Sequence, residues 1–449
     1  MNALAIPEPL WPKVFHIDPG GRESAGIALG ESVSRSGTER VLLREVHLPS
    51  GDDYSARGQL EAILSPAFVA RVTARARAEK LSVTFFHTHP ASDFARFSLR
   101  DDRGEKDLRE FLERRVPGKP HMSLVVGRRG HSARMLGSPD PCRVEVVGPI
   151  MGRWESERDS GGREHTENIV AQTFDRQVRV FGASAQRQLQ ALRVAIVGLG
   201  GTGSLVAQQL AHLGVGRFLL IDHDTIDESN LNRVVGAEAL DVARTSKVDV
   251  AARMIMRISP SARVEAVKGN AVLQGLAAKI VECDTVFSCA DSHGSRFVLN
   301  QLAYQFFIPV FDVGVAIAVG EGSISHVFGR TQMLVPGLPC LTCFRTLDPE
   351  EIRRDLMSDV ERRKDSYVMG DVEPQPAVVS INSTVSSLAI TMFLSAFAGV
   401  PVATRHQIYD AMRGMVRPIV GNTVRDCVTC STEGAFGRGD SWPLPGLRE

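Results

Sequence analysis

The chain has 449 residues, with 52 Lys plus Arg against 52 Asp plus Glu. That balance gives no footing for nucleic acid, and no apolar run approaches the roughly 20 residues needed to cross a bilayer. At about 100–200 residues per domain the length predicts two to four domains. The start, MNALAIPEPLWPK, lacks the basic and apolar regions of a secretory leader, so a cytoplasmic protein is expected.

In chain order the first chemistry lies near residue 87. Leu81 to Phe86 (LSVTFF) reads as a strand and runs into His87-Thr-His89-Pro90. Residues i and i+2 of a strand share a face, so both imidazoles can meet one metal ion. Ser98-Leu-Arg-Asp101 follows. As the first turn of a helix it makes Ser98 an N-cap and puts Asp101 on the same side. Two histidines and a carboxylate on zinc leave a fourth position for water, as a hydrolase requires. Glu23, just before a small apolar stretch (Ser-Ala-Gly26-Ile-Ala-Leu-Gly30), is the first candidate for general base, and Glu45 on the next predicted strand is the second. A helix is expected over 65–79. Residues 151–167 (MGRWESERDSGGREHTE) are polar and charged and read as a linker.

The richest segment is 194–233. Val194 to Val197 is a short apolar strand that runs straight into Gly198-Leu-Gly200-Gly201-Thr-Gly203 and then into helical sequence. A strand, a glycine turn and a helix start together place phosphates on a helix N-terminus. A second strand, Phe218 to Ile221, ends in Asp222, where an acidic residue can bind a ribose hydroxyl. By itself this turn most often marks a nicotinamide or flavin enzyme. The residues after it, Asp224, Asn230, Arg233 and Lys247, argue for a triphosphate, whose larger charge needs fixed cations. Arg176, upstream in Phe-Asp-Arg-Gln, adds a further cation. Strands near 194–197, 218–221, 263–267, 285–289 and 309–313, with helices near 203–213, 245–257 and 294–306, predict a doubly wound α/β sheet. An apolar stretch near 388–400 reads as a buried helix.

Seven cysteines include Cys340-x-x-Cys343 and Cys427-x-x-Cys430, which can close one four-thiolate zinc site; disulfides are the competing account. The glycine- and proline-rich sequence after Cys430 predicts an extended, flexible tail over 436–449.

Two resemblances follow from these motifs. From Phe174 to about Gly314 the chain resembles the ubiquitin-activating-enzyme superfamily in its ThiF-like bacterial form. The matching pieces are the Asp-Arg-Gln lead-in, the G-L-G-G-T-G turn, D-x-D, S-N-L-N-R, the lysine before a long helix, and Cys289-Ala-Asp291-Ser with Arg296 and Asn300. The resemblance implies that Asp222 holds the ribose and that Asn230, Arg233 and Lys247 hold phosphates. It implies that Asp291 assists with a magnesium-bound triphosphate and that Arg176 reaches the ATP site of a homodimer partner. The four cysteines would then hold a structural zinc ion.

Residues 1–150 resemble the JAMM/MPN metalloprotease family: H-x-H-P, then S-x-x-D, with eight residues between His89 and Ser98 where seven is common, and an upstream glutamate. That resemblance implies His87, His89 and Asp101 as ligands of a catalytic zinc ion, Glu23 as base, and Ser98 as oxyanion support. The expected organisation is 1–150 JAMM-like, with a curved sheet around the zinc and helix 65–79 on one side; 151–167 linker; 168–435 ThiF-like; and 436–449 tail. The expected function is adenylation of the C-terminal glycine of a ubiquitin-like modifier, plus zinc-dependent trimming or removal of it. A protein with a Gly-Gly tail and a conjugating-enzyme-like protein are the expected partners. A sulfur-carrier adenylyltransferase of the molybdopterin or thiamine type, and a non-catalytic tail-binding scaffold, are the alternatives. The candidate crossover region, about Thr346 to Ser380, holds no cysteine, so a thioester step is not implied; hydroxyls at Ser380, Ser383 or Thr384 are weak substitutes.

Overall fold

Runs of aliphatic and β-branched residues build two sheet systems in a computed structural model that describes residues 1–35, 37–151, 172–320, 323–357 and 376–447. Backbone contacts divide the chain into two units. One comprises 1–167 with 305–307 and 432–443; the other comprises 168–304, 308–431 and 444–449. Apart from Met151, the expected linker lies outside the described residues.

In the first unit the strands are β1 (Ala3–Pro7), β2 (Ala25–Arg35), β3 (Thr38–His47), β4 (Tyr54–Arg57), β5 (Ala62–Leu64), β6 (Ser82–Thr88), β7 (Met122–Val126), β8 (His131–Met135) and β9 (Pro141–Val147). The helices are α1 (Trp11–Val14), α2 (Pro66–Glu79) and α3 (Leu99–Arg115). The expected curved sheet closes into a barrel, in the order β1-β3-β2-β6-β7-β8-β9, because β1 pairs in parallel with both β3 and β9. Side chains alternate across its wall. Leu4, Ile6, Ala28, Leu43, Phe86 and Leu124 pack into one core cluster. Ile27, Leu29 and Val83 pack into another, with Phe68 and Val72 of α2 and Leu112 of α3. Ser65 caps α2, accepting from the Phe68 amide, with Pro66 in its first turn. The β4–β5 hairpin is a separate two-stranded sheet.

The second unit contains β10 (Arg193–Val197), β11 (Arg217–Asp222), β12 (Arg263–Lys268), β13 (Thr285–Ser288), β14 (Val310–Gly320), β15 (Ser323–Leu334), β16 (His406–Asp410) and β17 (Met415–Pro418). Its helices are α4 (Asp175–Ala191), α5 (Gly201–Leu213), α6 (Lys247–Ile258), α7 (Gln274–Ile280), α8 (His293–Gln305), α9 (Pro349–Asp355) and α10 (Val379–Ala398). They form one eight-stranded sheet, ordered β12-β11-β10-β13-β14-β15-β16-β17. It is parallel through β14 and antiparallel beyond. The parallel strands sit where the sequence predicts them; β10, β11, β13 and the start of β14 are apolar runs buried in the sheet, whereas the edge strand β12 is partly exposed.

Helix α10 is long and apolar enough to cross a membrane, but Val385, Ala389, Phe393 and Ala396 are buried within the unit. Phe393 packs at an angle against Phe287 and edge-on against Phe311, at centroid distances of 5.6 and 5.8 Å.

The chain after Cys430 departs from the expected flexible tail as far as Leu447. Ala435 is fully buried, Gln305 donates to the carbonyls of Gly439 and Trp442, and Leu447 bridges to Leu273. Its glycines serve close packing: Gly437 and Gly439 have positive φ and lie against Arg44 and Val33. Phe393→Ala removes the ring that joins α10 to the sheet; it is expected to cost about 3–5 kcal/mol, read from the urea midpoint.

Candidate functional site

The glycine turn is shaped by contacts that only hydrogen satisfies at two positions. A Cβ on Gly203 would lie 1.8 Å from the Gly198 carbonyl oxygen, and one on Gly198 would lie 2.7 Å from the Ala290 nitrogen. Gly198 also has φ +86°. Gly200 differs: nothing lies within 4 Å of its would-be Cβ. Its missing side chain leaves open space over the start of α5, where backbone N–H groups are free to meet an anion. Asp222, at the end of β11, pins the turn by accepting from the Leu199 amide at 2.6 Å and from the Asp224 amide at 2.8 Å.

The other residues named from sequence fall into several kinds of environment. Lys247, at the start of α6, pairs with Asp224 at 2.7 Å. Against the upward push of its own burial, Asp224 is held below the ordinary carboxylate value by that lysine. Asn230 is buried and closes a capping box with Asp227. Arg233 donates to the Ser229 carbonyl, and its Cδ lies 3.5 Å from the Gly201 Cβ position. Asp291 is exposed just beyond β13. Arg176 is exposed on α4, and among the described residues no hydrogen bond or ion pair links it to the turn.

Of the crossover region, 358–375 lie outside the described residues. Ser380, Ser383 and Thr384 fall in α10, where Thr384 donates back to the Ser380 carbonyl. Such a bond is ordinary helix behaviour.

Sequence reasoning missed three features here. Asn382 of α10 is buried with its Nδ2 2.2 Å from the Gly201 Cβ position, and Ser386 donates to the Thr202 carbonyl. The third is a buried charge cluster. Asp312 of β14, fully buried, accepts from Ser288 at 3.0 Å, from Arg296 at 3.3 Å, and from Arg330 of β15. His406 of β16 lies on the same face, opposite Gln332. Burial, reinforced by Arg330, holds its pKa down to about 4.

The four cysteines converge. Cys340 lies 3.6 Å from Cys343 and 3.5 Å from Cys427, and Cys343 lies 3.4 Å from Cys430, sulfur to sulfur. All are unbridged. Thiolates about 2.3 Å from a zinc ion would be about 3.8 Å apart, so the cluster fits a metal and not disulfides. Hydrogen bonding, chiefly from Cys430, holds the Cys340 thiol down, while burial pushes Cys427 up. Four sulfurs this close cannot all ionise without a cation.

In the first unit the predicted triad also converges. His87 Nε2 lies 3.1 Å from His89 Nε2 and 3.2 Å from Asp101 Oδ1. Glu23 Oε1 is 3.9 Å from His89 Nε2. Burial raises Glu23 above its ordinary value. Burial also lowers His89, and Asp101 is held low despite burial by bonds from His87 and Ser98. Ser98 caps α3 in a capping box and bonds Asp101 at 2.8 Å, so it orients the carboxylate. Glu45 is engaged elsewhere, by Arg75 at 2.6 Å and His47 at 3.3 Å.

Residues 174–427 match the ThiF family. The chain belongs to that family. Among its relatives, the molybdopterin-synthase adenylyltransferase of Escherichia coli is 33% identical over 261 residues, which are 57% of this chain and 95% of that protein. The SAMP-activating enzyme E1 of Haloferax volcanii is 30% identical over 169 residues, 38% of this chain. The chain spans 59% of the length of that archaeal enzyme and 37% of the ubiquitin-like modifier-activating enzyme 5 of rice. A crystal structure of E. coli MccB with a MccA derivative covers 58% of the chain and 75% of MccB, at TM-score 0.47 and 20% identity, a likeness too distant to bear on function.

The low pKa of His406 sets a pH dependence. The folded state keeps it neutral to about pH 4, whereas the unfolded chain protonates it near 6.5. The unfolded state thus binds more protons between these values, so this stability is complete above about 6.5 and is lost as pH falls toward 4. The contribution is about 3 kcal/mol. His406→Gln is expected to flatten this part of the profile, measured as urea midpoints across that range.

Proposed function

We propose that the second unit transfers the AMP moiety of ATP to the C-terminal carboxylate of a ubiquitin-like or sulfur-carrier protein ending in Gly-Gly. The carboxylate oxygen attacks the α-phosphorus, and the bond to pyrophosphate breaks. The products are an acyl-adenylate and pyrophosphate. The observation that carries this reading is the open position at Gly200 over the start of α5, beside glycines that close contacts pin, with Arg233 against Gly201 and Lys247 paired to Asp224.

Asp222 is suited to the ribose, and Asn230, Arg233 and Lys247 to the phosphates. Asp291 is suited to a magnesium ion carried with ATP. Exposed Arg176 is free to serve a partner subunit in a homodimer. Outside the four-cysteine cluster the cysteines are buried or half-buried, and burial pushes Cys283 and Cys289 up to about 12. They are therefore poor nucleophiles, which favours release or hand-over of the adenylate, including to a conjugating-enzyme-like protein, over a thioester on this chain. Zinc in the four-cysteine cluster would be structural, because four thiolates leave no open position.

For the first unit, a specific geometry favours a second activity. Two histidines and a carboxylate lie within zinc-ligand spacing, with a glutamate of raised pKa beside them. We infer a JAMM-type peptidase or isopeptidase that trims or removes the same modifier. A zinc ion there would supply Lewis acidity. Glu23 would take the proton from the attacking water, and Ser98 would hold Asp101 in place.

Two experiments test these assignments. Pyrophosphate–ATP exchange should fall by about 10²–10³-fold in Arg233→Ala and Lys247→Ala; undiminished exchange would remove the adenylation reading. Purified protein should hold two zinc ions per chain, and His87→Ala/His89→Ala should hold one; equal metal content would remove the peptidase reading.

A further inference from the structure

Beside the nucleotide cradle the second unit carries two largely buried arginines that, among the described residues, share a single carboxylate. The connection is a run of direct contacts. Gly198 abuts Ala290, the Ala290 carbonyl accepts from Arg296 Nε at 3.0 Å, and Arg296 and Arg330 both donate to Asp312. Arg330 lies opposite Gly314 on β14, and a Cβ on Gly314 would meet Arg296 Nη2 at 2.9 Å. The absent side chain at Gly314 thus leaves room for the Arg296 guanidinium.

Among the described residues one carboxylate faces two guanidiniums here, which leaves one positive charge in excess. Asp312 is fully buried, and the side chains of Arg296 and Arg330 are only 16% and 18% exposed. Arg296 is fully engaged, by Ala290, Asp312 and the Val313 carbonyl. Arg330 is not: its Nη1 is buried and, among the described residues, has no hydrogen-bond partner. On the same face, Gln332 Oε1 and both ring nitrogens of His406 are likewise buried without partners. His406 is neutral at ordinary pH and does not change the charge count. A buried guanidinium donor without an acceptor is costly, and guanidinium pairs best with carboxylate or phosphate oxygens.

We propose that Arg330, braced by Asp312 and Arg296, is the receptor for the terminal carboxylate of the protein tail that is to be adenylated. The proposal rests on the adenylation reading and adds to it the residue that recognises the acceptor. The contacts through Ala290 and Arg296 link this site to the cradle on its β14 side, and the partly exposed Arg330 side chain would meet a carboxylate lying beside the nucleotide. The same chemistry would suit a nucleotide phosphate, and the experiment separates the two sources.

The probes are a synthetic heptapeptide ending in Gly-Gly with a free carboxylate, the same peptide as its C-terminal amide, and a non-hydrolysable ATP analogue. In wild-type full-length protein with the analogue bound, calorimetry should show the acid binding at least about tenfold more tightly than the amide. Arg330→Gln should bring that ratio close to one and leave analogue affinity unchanged. In exchange kinetics it should raise the KM for peptide and not that for ATP. Arg330→Lys should recover part of the preference.

A wild-type protein that binds the analogue but does not distinguish acid from amide overturns the proposal, whatever the folding of the variants. An Arg330→Gln protein that keeps the acid preference and loses analogue affinity also overturns it, and assigns the arginine to nucleotide phosphate. A wild-type protein that ignores the ATP analogue overturns the adenylation reading on which the proposal stands.

Discussion

The second unit depends on the backbone at Gly203 lying against the backbone at Gly198, too close for any carbon in between. That approach sets where α5 begins, so it sets where its unpaired amides point. It also brings the turn against the segment after β13, which carries Asp291 and leads to Arg296. Asp222 completes the turn from the neighbouring strand by fastening the Leu199 amide. The fixed cations, the buried arginine pair and Asn382 are all placed relative to this one contact.

What could be read in advance follows from how far apart the cooperating residues lie in the chain. The central parallel strands were legible because burial on both faces makes them short continuous apolar runs. His87 and His89 were legible because a strand has a period of two, and Ser98 with Asp101 because a helix N-terminus has its own local signature. The cysteine pairs were legible as pairs, although only the fold brings Cys343 to within 3.4 Å of Cys430.

The remainder depends on tertiary topology. Asp312, Arg330 and His406 meet because β14, β15 and β16 are neighbours, and no short window of sequence contains all three. Asn382 sits in a helix whose serines and threonine look like ordinary capping residues, yet it is the side chain that touches Gly201. Closure of the barrel turns on β1, five residues that pair with two distant strands at once. The segment after Cys430 misled by composition. Glycine and proline are common in mobile chain, but here glycine lets the backbone lie against Arg44 and Val33.

The split cysteine cluster has a mechanical meaning. Cys340 and Cys427 are 87 positions apart in sequence, yet their sulfurs are 3.5 Å apart. A cross-link there closes a long loop, and closing such a loop in the unfolded chain removes entropy that grows only logarithmically with length. Helix α10, strands β16 and β17 and the whole crossover segment lie inside that ring. With a metal ion anchoring its two ends, this stretch could be cut once without releasing either flank from the sheet. The ring would thus separate the integrity of the sheet from the continuity of the chain between its two ends.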